Sequence, residues 1–152
     1  MNSMPNDPAG QAAELLAAAK MATLATLGAG GYPVASLVAV ASRETGAPLL
    51  LLSRLALHTR NLAADPRASL LLRNEAADAP MADARVTLIG TVSALAEPSA
   101  RARFLARHPD AAVYIDFADF GFYTLEIETA HLVAGFGRIV DIRGADMLAR
   151  LG

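Results

Sequence analysis

The apolar residues of this chain fall into short runs that are separated by turn-forming residues. Three runs of five to eight residues occupy 21–27, 34–41 and 49–53, and glycine- or proline-containing segments divide them. Runs of this length with such boundaries predict β-strands joined by hairpin turns. Because these strands are apolar on both faces, we expect a second layer or a partner surface to cover them on two sides.

Two later regions alternate apolar and polar positions. The alternation extends over 86–95 and again over 122–133, which predicts two strands with one buried face each. A further strand is predicted at 67–72, directly after Asp65-Pro66. Segment 75–84 is small, acidic and proline-containing, and it is interpreted as a loop.

Helical spacing appears only in short segments, at 11–20, 55–64 and 98–108. About six strands with short helices between them favour a mainly β fold, a small antiparallel barrel with short flanking helices, over a doubly wound sheet. We expect one domain over 1–152, with residues 1–10 flexible.

Composition narrows the function classes. Hydrophobic residues make up 54% of the chain and charged residues 18%, with a net charge of -2, so nucleic acid is not an expected partner. No apolar run reaches the ~18 residues of a membrane span and no basic leader is visible, so a cytoplasmic protein without a membrane partner is expected. With no cysteine and three histidines, no dedicated metal site is predicted, and redox chemistry would need a bound cofactor.

The segment 53–67 carries the most informative chemistry. It places a hydroxyl, Ser53, at a strand end and then His58, Thr59 and Arg60 at the start of a helix. Unpaired backbone N–H groups and the positive end of the helix dipole attract a phosphate, and Arg60 and His58 can add charge-assisted hydrogen bonds. The alternative interpretation is a surface turn whose arginine and histidine are merely solvated.

Four segments in order resemble one protein family. They are 33–38, 53–66, 84–90, and 114–120 followed by 135–138, and together they span about four fifths of the chain. They resemble the FMN-binding split-barrel flavoproteins of the pyridoxamine-5'-phosphate-oxidase-like superfamily, and the fourth segment resembles the haem-utilisation (HugZ-like) branch. The strand at 36–41 lacks the basic motif of the oxidases proper, which argues against vitamin B6 oxidation.

The resemblance implies a six-stranded antiparallel split β-barrel that forms a homodimer with one FMN at each of two interface sites. It implies that the backbone of one strand runs along the flavin ring and that a turn holds the phosphate. It further implies that Arg85 contacts the flavin and that two partner residues close the site; Arg85 could instead pair with Asp83, and Phe136 could simply pack. The residues implied to bind the cofactor are Ser36, Leu37, Val38, Ser53, His58, Thr59, Arg60, Arg85, Phe136 and Arg138.

The leading hypothesis is an FMN-dependent oxidoreductase that acts on an unidentified small or planar substrate, with no catalytic residue assigned. The alternative is a non-catalytic module that binds flavin or haem for storage, sensing or regulation. A structural dimer with a vestigial pocket is the third hypothesis. Haem is thus the second cofactor considered beside FMN.

Overall fold

The computed structural model describes residues 7–135 and 137–151. Its strands are β1 (Met21–Leu27), β2 (Pro33–Ser42), β3 (Pro48–Ser53), β4 (Arg67–Arg73), β5 (Arg85–Ala94), β6 (Phe120–Val133) and β7 (Ile139–Arg143). Its helices are α1 (Pro8–Ala18), α2 (Leu57–Ala64), α3 (Ala100–Arg107) and α4 (Gly144–Leu148), with 3₁₀ turns at Ala29–Gly31 and Pro109–Val113.

The strands form one antiparallel sheet in the order β3-β2-β1-β4-β5-β6-β7. An additional pairing of β3 with β6 closes the first six strands into a barrel, and β7 extends the sheet beyond β6. The predicted mainly β class and antiparallel barrel are therefore confirmed. No helix within the described ranges is long and apolar enough to cross a bilayer.

Alternate residues of the strands point into the barrel, and their side chains fill its interior. Fully buried leucines line it from β1, β3, β4, β5 and β6, and α1 and α4 add buried side chains at one end. A smaller cluster between α3 and the outside of β3 includes Leu49, Leu51 and Phe104. Since β3 is buried on both faces, the expected two-sided cover holds for this strand.

The outer side of β2 has no such cover within the described chain. Leu37 is 72% exposed and Ala35 is also exposed. In addition, the first part of β2, residues 33–39, pairs with β1 along its whole length. Strand β3 pairs only with the last three residues of β2, from Val40 to Ser42. The backbone of residues 33–39 therefore has an open edge on the side away from β1.

Two glycines let neighbouring backbone approach β6 closely. A Cβ at Gly90 would lie 1.8 Å from the carbonyl oxygen of Glu126, and a Cβ at Gly144 would lie 1.7 Å from that of Ile127. The register between β5 and β6 shifts at this point, and Glu128 is the extra residue. Such a bulge changes the phase of the strand. The alternation predicted over 122–133 is consequently interrupted.

Three other details differ from the sequence-based expectation. Strand β7 and helix α4 were not predicted, because each is only five residues long and mostly exposed. Helix α1 begins at Pro8 rather than at residue 11. Asp7 caps it by accepting a hydrogen bond from the N–H of Gly10 at 3.0 Å, and proline suits the first turn.

Candidate functional site

One face of α2, from Thr59 to Ala63, lines a cavity of about 430 Å³ beside the first turn of the helix, which we call the helix-end cavity. No side chain caps this helix, so its first N–H groups lack intrahelical partners. Thr59 lines the cavity and is only 5% exposed, yet its Oγ1 makes no hydrogen bond within the described chain. A buried hydroxyl without a partner is costly, and it indicates a ligand that would accept or donate a hydrogen bond there.

Two guanidinium groups give the helix-end cavity a positive character. Arg60 and Arg54 both line it, together with Ser93 and Tyr123. Arg60 forms no ion pair with any described residue, and Arg54 donates to the carbonyl oxygen of Ala118 rather than to a carboxylate. Because these two cations line the cavity and the uncapped first turn of α2 adjoins it, the cavity suits an anion such as a phosphate.

Ser53 and His58 lie beside this cavity in states less suited to an anion. The Ser53 hydroxyl donates to Oδ2 of Asp119 at 2.6 Å and accepts from the N–H of Leu55 at 3.1 Å. The hydroxyl hydrogen of Ser53 is therefore already donated to a carboxylate. Burial lowers the pKa of His58, which is half-buried, so its imidazole is neutral at pH 7 and adds no charge.

The position of α2 follows from local sequence. Asn61 and Thr26 are both buried, and the Asn61 Nδ2 group donates to Thr26 Oγ1 at 3.1 Å, which ties the helix to β1. After the helix, Arg67 donates to the carboxylate of Asp65 at 2.7 Å, which lowers the pKa of Asp65 to about 2. Pro66 then starts the chain into β4, because proline cannot continue a helix.

The three predicted ring-contacting residues lie on β2. Val38 is buried, Ser36 is half-buried on the same face, and Leu37 projects from the opposite face. Because these three side chains lie on opposite faces of β2, a single flavin ring could contact all three residues only through the strand backbone. That backbone is available: the N–H of Val40 donates to Lys20 next to β1, so alternate residues, including Ala35 and Leu37, direct their peptide groups to the open edge.

Arg85 and Arg138 lie at the other end of the barrel from the helix-end cavity. Arg85 begins β5, whereas Val92 of the same strand lines the cavity, and seven residues of strand span about 23 Å. Arg138 lies in the turn between β6 and β7, where its carbonyl oxygen accepts from the N–H of Ala134. Phe136 lies outside the described residues.

Apart from the three residues on β2 and Phe136, the predicted site residues divide into two groups. Ser53, His58, Thr59 and Arg60 are together, and Arg85 and Arg138 are near each other, since Arg85 pairs with Val133 and Val133 with Ile139. The structure does not bring the two groups together within one chain.

A second region, the outer sheet face, combines an uncharged surface of apolar and hydroxyl side chains with positive charge at its border. Strand register aligns Leu37, Thr23, Leu71, Thr87 and His131 in one row across β2, β1, β4, β5 and β6. The next row is Ala35, Ala25, Ser69, Ile89 and Thr129. From β1 to β6 these rows span about 14 Å and carry no carboxylate or guanidinium.

Two arginines, Arg73 and Arg85, border this face, and Arg73 was not predicted from the sequence. Arg73 and Arg85 are directly opposed in the β4–β5 pairing. Each donates to a carbonyl oxygen, of Asn74 and Met81, and neither forms an ion pair with a described residue. Like charges in directly opposed positions repel. The sequence contained one signal for this pairing: Arg73 directly precedes the loop at 74–84 and Arg85 directly follows it, as expected for opposed residues at the base of a hairpin.

His131 and Asp141 occupy the β6 and β7 positions of the first row. Their side chains meet, with His131 Nδ1 2.6 Å from Asp141 Oδ1, and the histidine side chain is 42% exposed. The pairing was also not predicted, because it depends on β7. Within the described ranges no group of three or more metal-ligating side chains occurs.

A larger cavity of about 680 Å³ lies between α1 and the loop after β4. Lys20 and Arg73 line it together with Glu14, Glu75 and Asp83. Glu75 is engaged, since its Oε2 accepts from the N–H groups of Lys20 and Met21. The mixture of charges gives this cavity no selectivity for either ion sign.

The barrel with its open β2 edge defines a split-barrel protein of the pyridoxamine-5'-phosphate-oxidase-like fold, and structures of the pyridoxine-phosphate oxidase family share it. A family model described as "CREG, beta-barrel" matches residues 4–148. The chain therefore belongs to the CREG β-barrel family.

Two of the relatives at 37–38% identity are haem proteins. The chloroplastic haem oxygenase HOZ of Arabidopsis thaliana is 38% identical over 108 residues, which cover 69% of this chain and 33% of that protein. A haem-binding protein from Mycobacterium smegmatis is 37% identical, with a TM-score of 0.88 over 97% of this chain and 62% of its own. The chain thus spans less than two thirds of either relative.

The haem storage protein HutZ from Vibrio cholerae, at 23% identity, shares the fold, with a TM-score of 0.67 over 80% of this chain and 90% of its own. The predicted resemblance to the haem-utilisation branch is confirmed by these comparisons.

Proposed function

We propose that this protein binds haem on its outer sheet face. Haem is a flat, largely apolar ring with two carboxylates at one edge, so it requires an uncharged surface next to cations. The outer sheet face offers this combination in Leu71 and Thr87, with Arg73 and Arg85 at its border. The opposed arginine pair carries the proposal, because two neighbouring guanidinium groups that form no ion pair with a described residue repel each other and favour an anion between them. The haem-binding relatives support the same ligand.

The test is a titration of the purified protein with haem, followed through the Soret band, and with iron-free protoporphyrin, followed by fluorescence. We expect micromolar or tighter binding of both. The double variant R73A/R85A should weaken both affinities at least tenfold, since each charge-assisted hydrogen bond is worth about 1.5–3 kcal/mol. Arg103→Ala is the matched control, because Arg103 is an exposed arginine on α3 that forms no ion pair with a described residue. Wild-type affinity in the double variant would refute the assignment.

FMN is the second candidate ligand, and the helix-end cavity favours it. The unpartnered Thr59 hydroxyl, the uncapped end of α2 and Arg60 suit a phosphate. In this case the open backbone edge at Ala35 and Leu37 would hydrogen-bond the flavin ring, and the protein would be an oxidoreductase acting on a small or planar substrate. An FMN titration of wild type and Arg60→Ala tests this, and equal affinities would count against it.

Either cofactor would supply the redox chemistry, and the protein residues would supply binding and orientation. Flavin exchanges hydride or single electrons, and haem carries one-electron and oxygen chemistry. Arg73 and Arg85 would hold haem, and the apolar side chain of Leu71 would exclude water from its ring. Thr59 and Arg60 would hold FMN.

We also propose that a second copy of the chain covers the part of the outer sheet face that the ligand leaves exposed. Leu37 and Ile89 are exposed apolar side chains on this face, and exposed apolar patches usually mark interfaces. Light scattering should give about twice the 15.8 kDa chain mass, and Leu37→Lys should shift the protein to the monomer. A wild-type monomer would contradict the proposal.

A further inference from the structure

We infer that His131 is the axial ligand of the haem iron and that Asp141 is the positioning residue that orients it. The inference rests on the proposed haem function and goes one step further, since it names the atom that meets the metal. It starts from the pair described above, in which a carboxylate oxygen lies 2.6 Å from Nδ1 of the imidazole.

The contact with Asp141 distinguishes the two imidazole nitrogens of His131. Because a carboxylate accepts, Nδ1 carries the hydrogen of this contact, and Nε2 is the ring nitrogen left for a metal. Histidines that bind metals almost always donate their other N–H to a carboxylate, a carbonyl or water, because this orients the ring and makes it a stronger ligand. A neutral imidazole with a lone pair at Nε2 is also the usual proximal ligand of haem iron.

The pair of His131 and Asp141 also lies in the sheet next to the proposed ligand surface. His131 is directly opposed to Thr87, which belongs to the uncharged row of the outer sheet face. Arg85 lies two residues from Thr87 on the same strand, so it is a diagonal neighbour of His131 at about 7–8 Å. A ligand with a central metal and peripheral carboxylates would therefore meet the histidine and the arginines from the same side of the sheet.

As an exposed ion pair, the histidine and the aspartate would contribute little to stability, since such pairs contribute about 0–1 kcal/mol. The other histidines are in different settings: His108 Nε2 is bonded to the carbonyl oxygen of Val40 at 2.8 Å, and His58 lies at the other end of the barrel. Of the chain's three histidines, His131 alone lies on the outer sheet face.

The experiment compares haem with iron-free protoporphyrin. In wild type, the haem complex should show an iron–histidine stretching band by resonance Raman spectroscopy. His131→Ala should lose this band and bind haem about 10–100-fold more weakly, while its affinity for iron-free protoporphyrin stays unchanged. Added imidazole should restore the wild-type Soret band. Asp141→Asn should keep the band, shift it to lower frequency and weaken haem binding up to tenfold, with Asp146→Asn, which removes the partner of Arg143, as its control.

The outcomes separate the two claims. If wild type binds neither porphyrin, the proposed function fails. If wild type binds haem and His131→Ala keeps the same Raman and Soret bands, the ligand assignment fails while the proposed function stands. If His131→Ala loses both porphyrins equally, the histidine packs against the ring and does not bind the iron, which also overturns the inference.

Discussion

The buried Thr59 hydroxyl predicts that stability and ligand binding respond in opposite directions to one substitution. Thr59→Val keeps the shape of the side chain and removes a hydroxyl that has no partner among the described residues. An unpaired buried polar group costs about 1–3 kcal/mol, and threonine and valine have similar helix propensities. We therefore expect the ligand-free variant to be about 1 kcal/mol more stable, which raises Tm by about 2–4 °C in a chain of this size.

The same substitution should weaken binding of an anion in the helix-end cavity. A hydrogen bond to a charged group is worth about 1.5–3 kcal/mol, which corresponds to about a 10–100-fold loss of FMN affinity. Thermal unfolding of the ligand-free protein and an FMN titration measure the two effects separately.

Thr124→Val is the matched control. Thr124 is equally buried, but its hydroxyl donates to the carbonyl oxygen of Pro48 at 2.8 Å. This variant should lose about 1–3 kcal/mol of stability. A loss of stability in Thr59→Val like that of Thr124→Val would refute the reasoning, because it would mean that the Thr59 hydroxyl is already satisfied.

Three further predictions concern stability and pH. Gly90→Ala should cost about 3 kcal/mol or more and lower Tm by about 6–12 °C, because its Cβ would collide with backbone, whereas Gly121→Ala, with only an ordinary contact at 3.7 Å, should stay within about 1 kcal/mol by the same denaturation curves. Arg107→Ala should lower Tm by about 2–8 °C, since this half-buried guanidinium donates to two carbonyl oxygens at the end of α1. Burial lowers the pKa of His58, so as pH falls the unfolded chain takes up the imidazole proton before the folded chain does. The contribution of the neutral His58 to folding stability is therefore complete above pH 6.5 and is lost as pH falls through the lower pKa of the folded state. His58→Gln should flatten this dependence in urea unfolding between pH 5 and 8, and an unchanged slope would contradict it.

Local patterns were sufficient for the strands that build the barrel. Strand β1 was predicted with its observed ends, and the alternation of Val86, Leu88 and Val92 was confirmed as the inner face of β5. The pattern failed at Glu128, because the bulge depends on the approach of Gly90 from another strand. Strand β7 was missed since a five-residue strand contains too few positions to establish a period.

The candidate site was accessible from the sequence only where it is local. The segment from Ser53 to Arg60 is contiguous, so its hydroxyl and its cation could be assigned to one helix start. The pairs Arg73–Arg85 and His131–Asp141 are formed by strand register, which no single segment encodes. The bond from Ser53 to Asp119 joins residues 66 positions apart and was equally invisible.

The open edge of β2 also provides an intrinsic reporter of occupancy. Amide protons held in a strand ladder exchange slowly with solvent, whereas those of Ala35 and Leu37 face no partner strand and should exchange within the fast phase. Any molecule that lies along this edge, whether a flavin or a neighbouring chain, would slow the exchange at these two positions first. Deuterium uptake there would thus distinguish a ligand on the edge from one held only by Arg73 and Arg85.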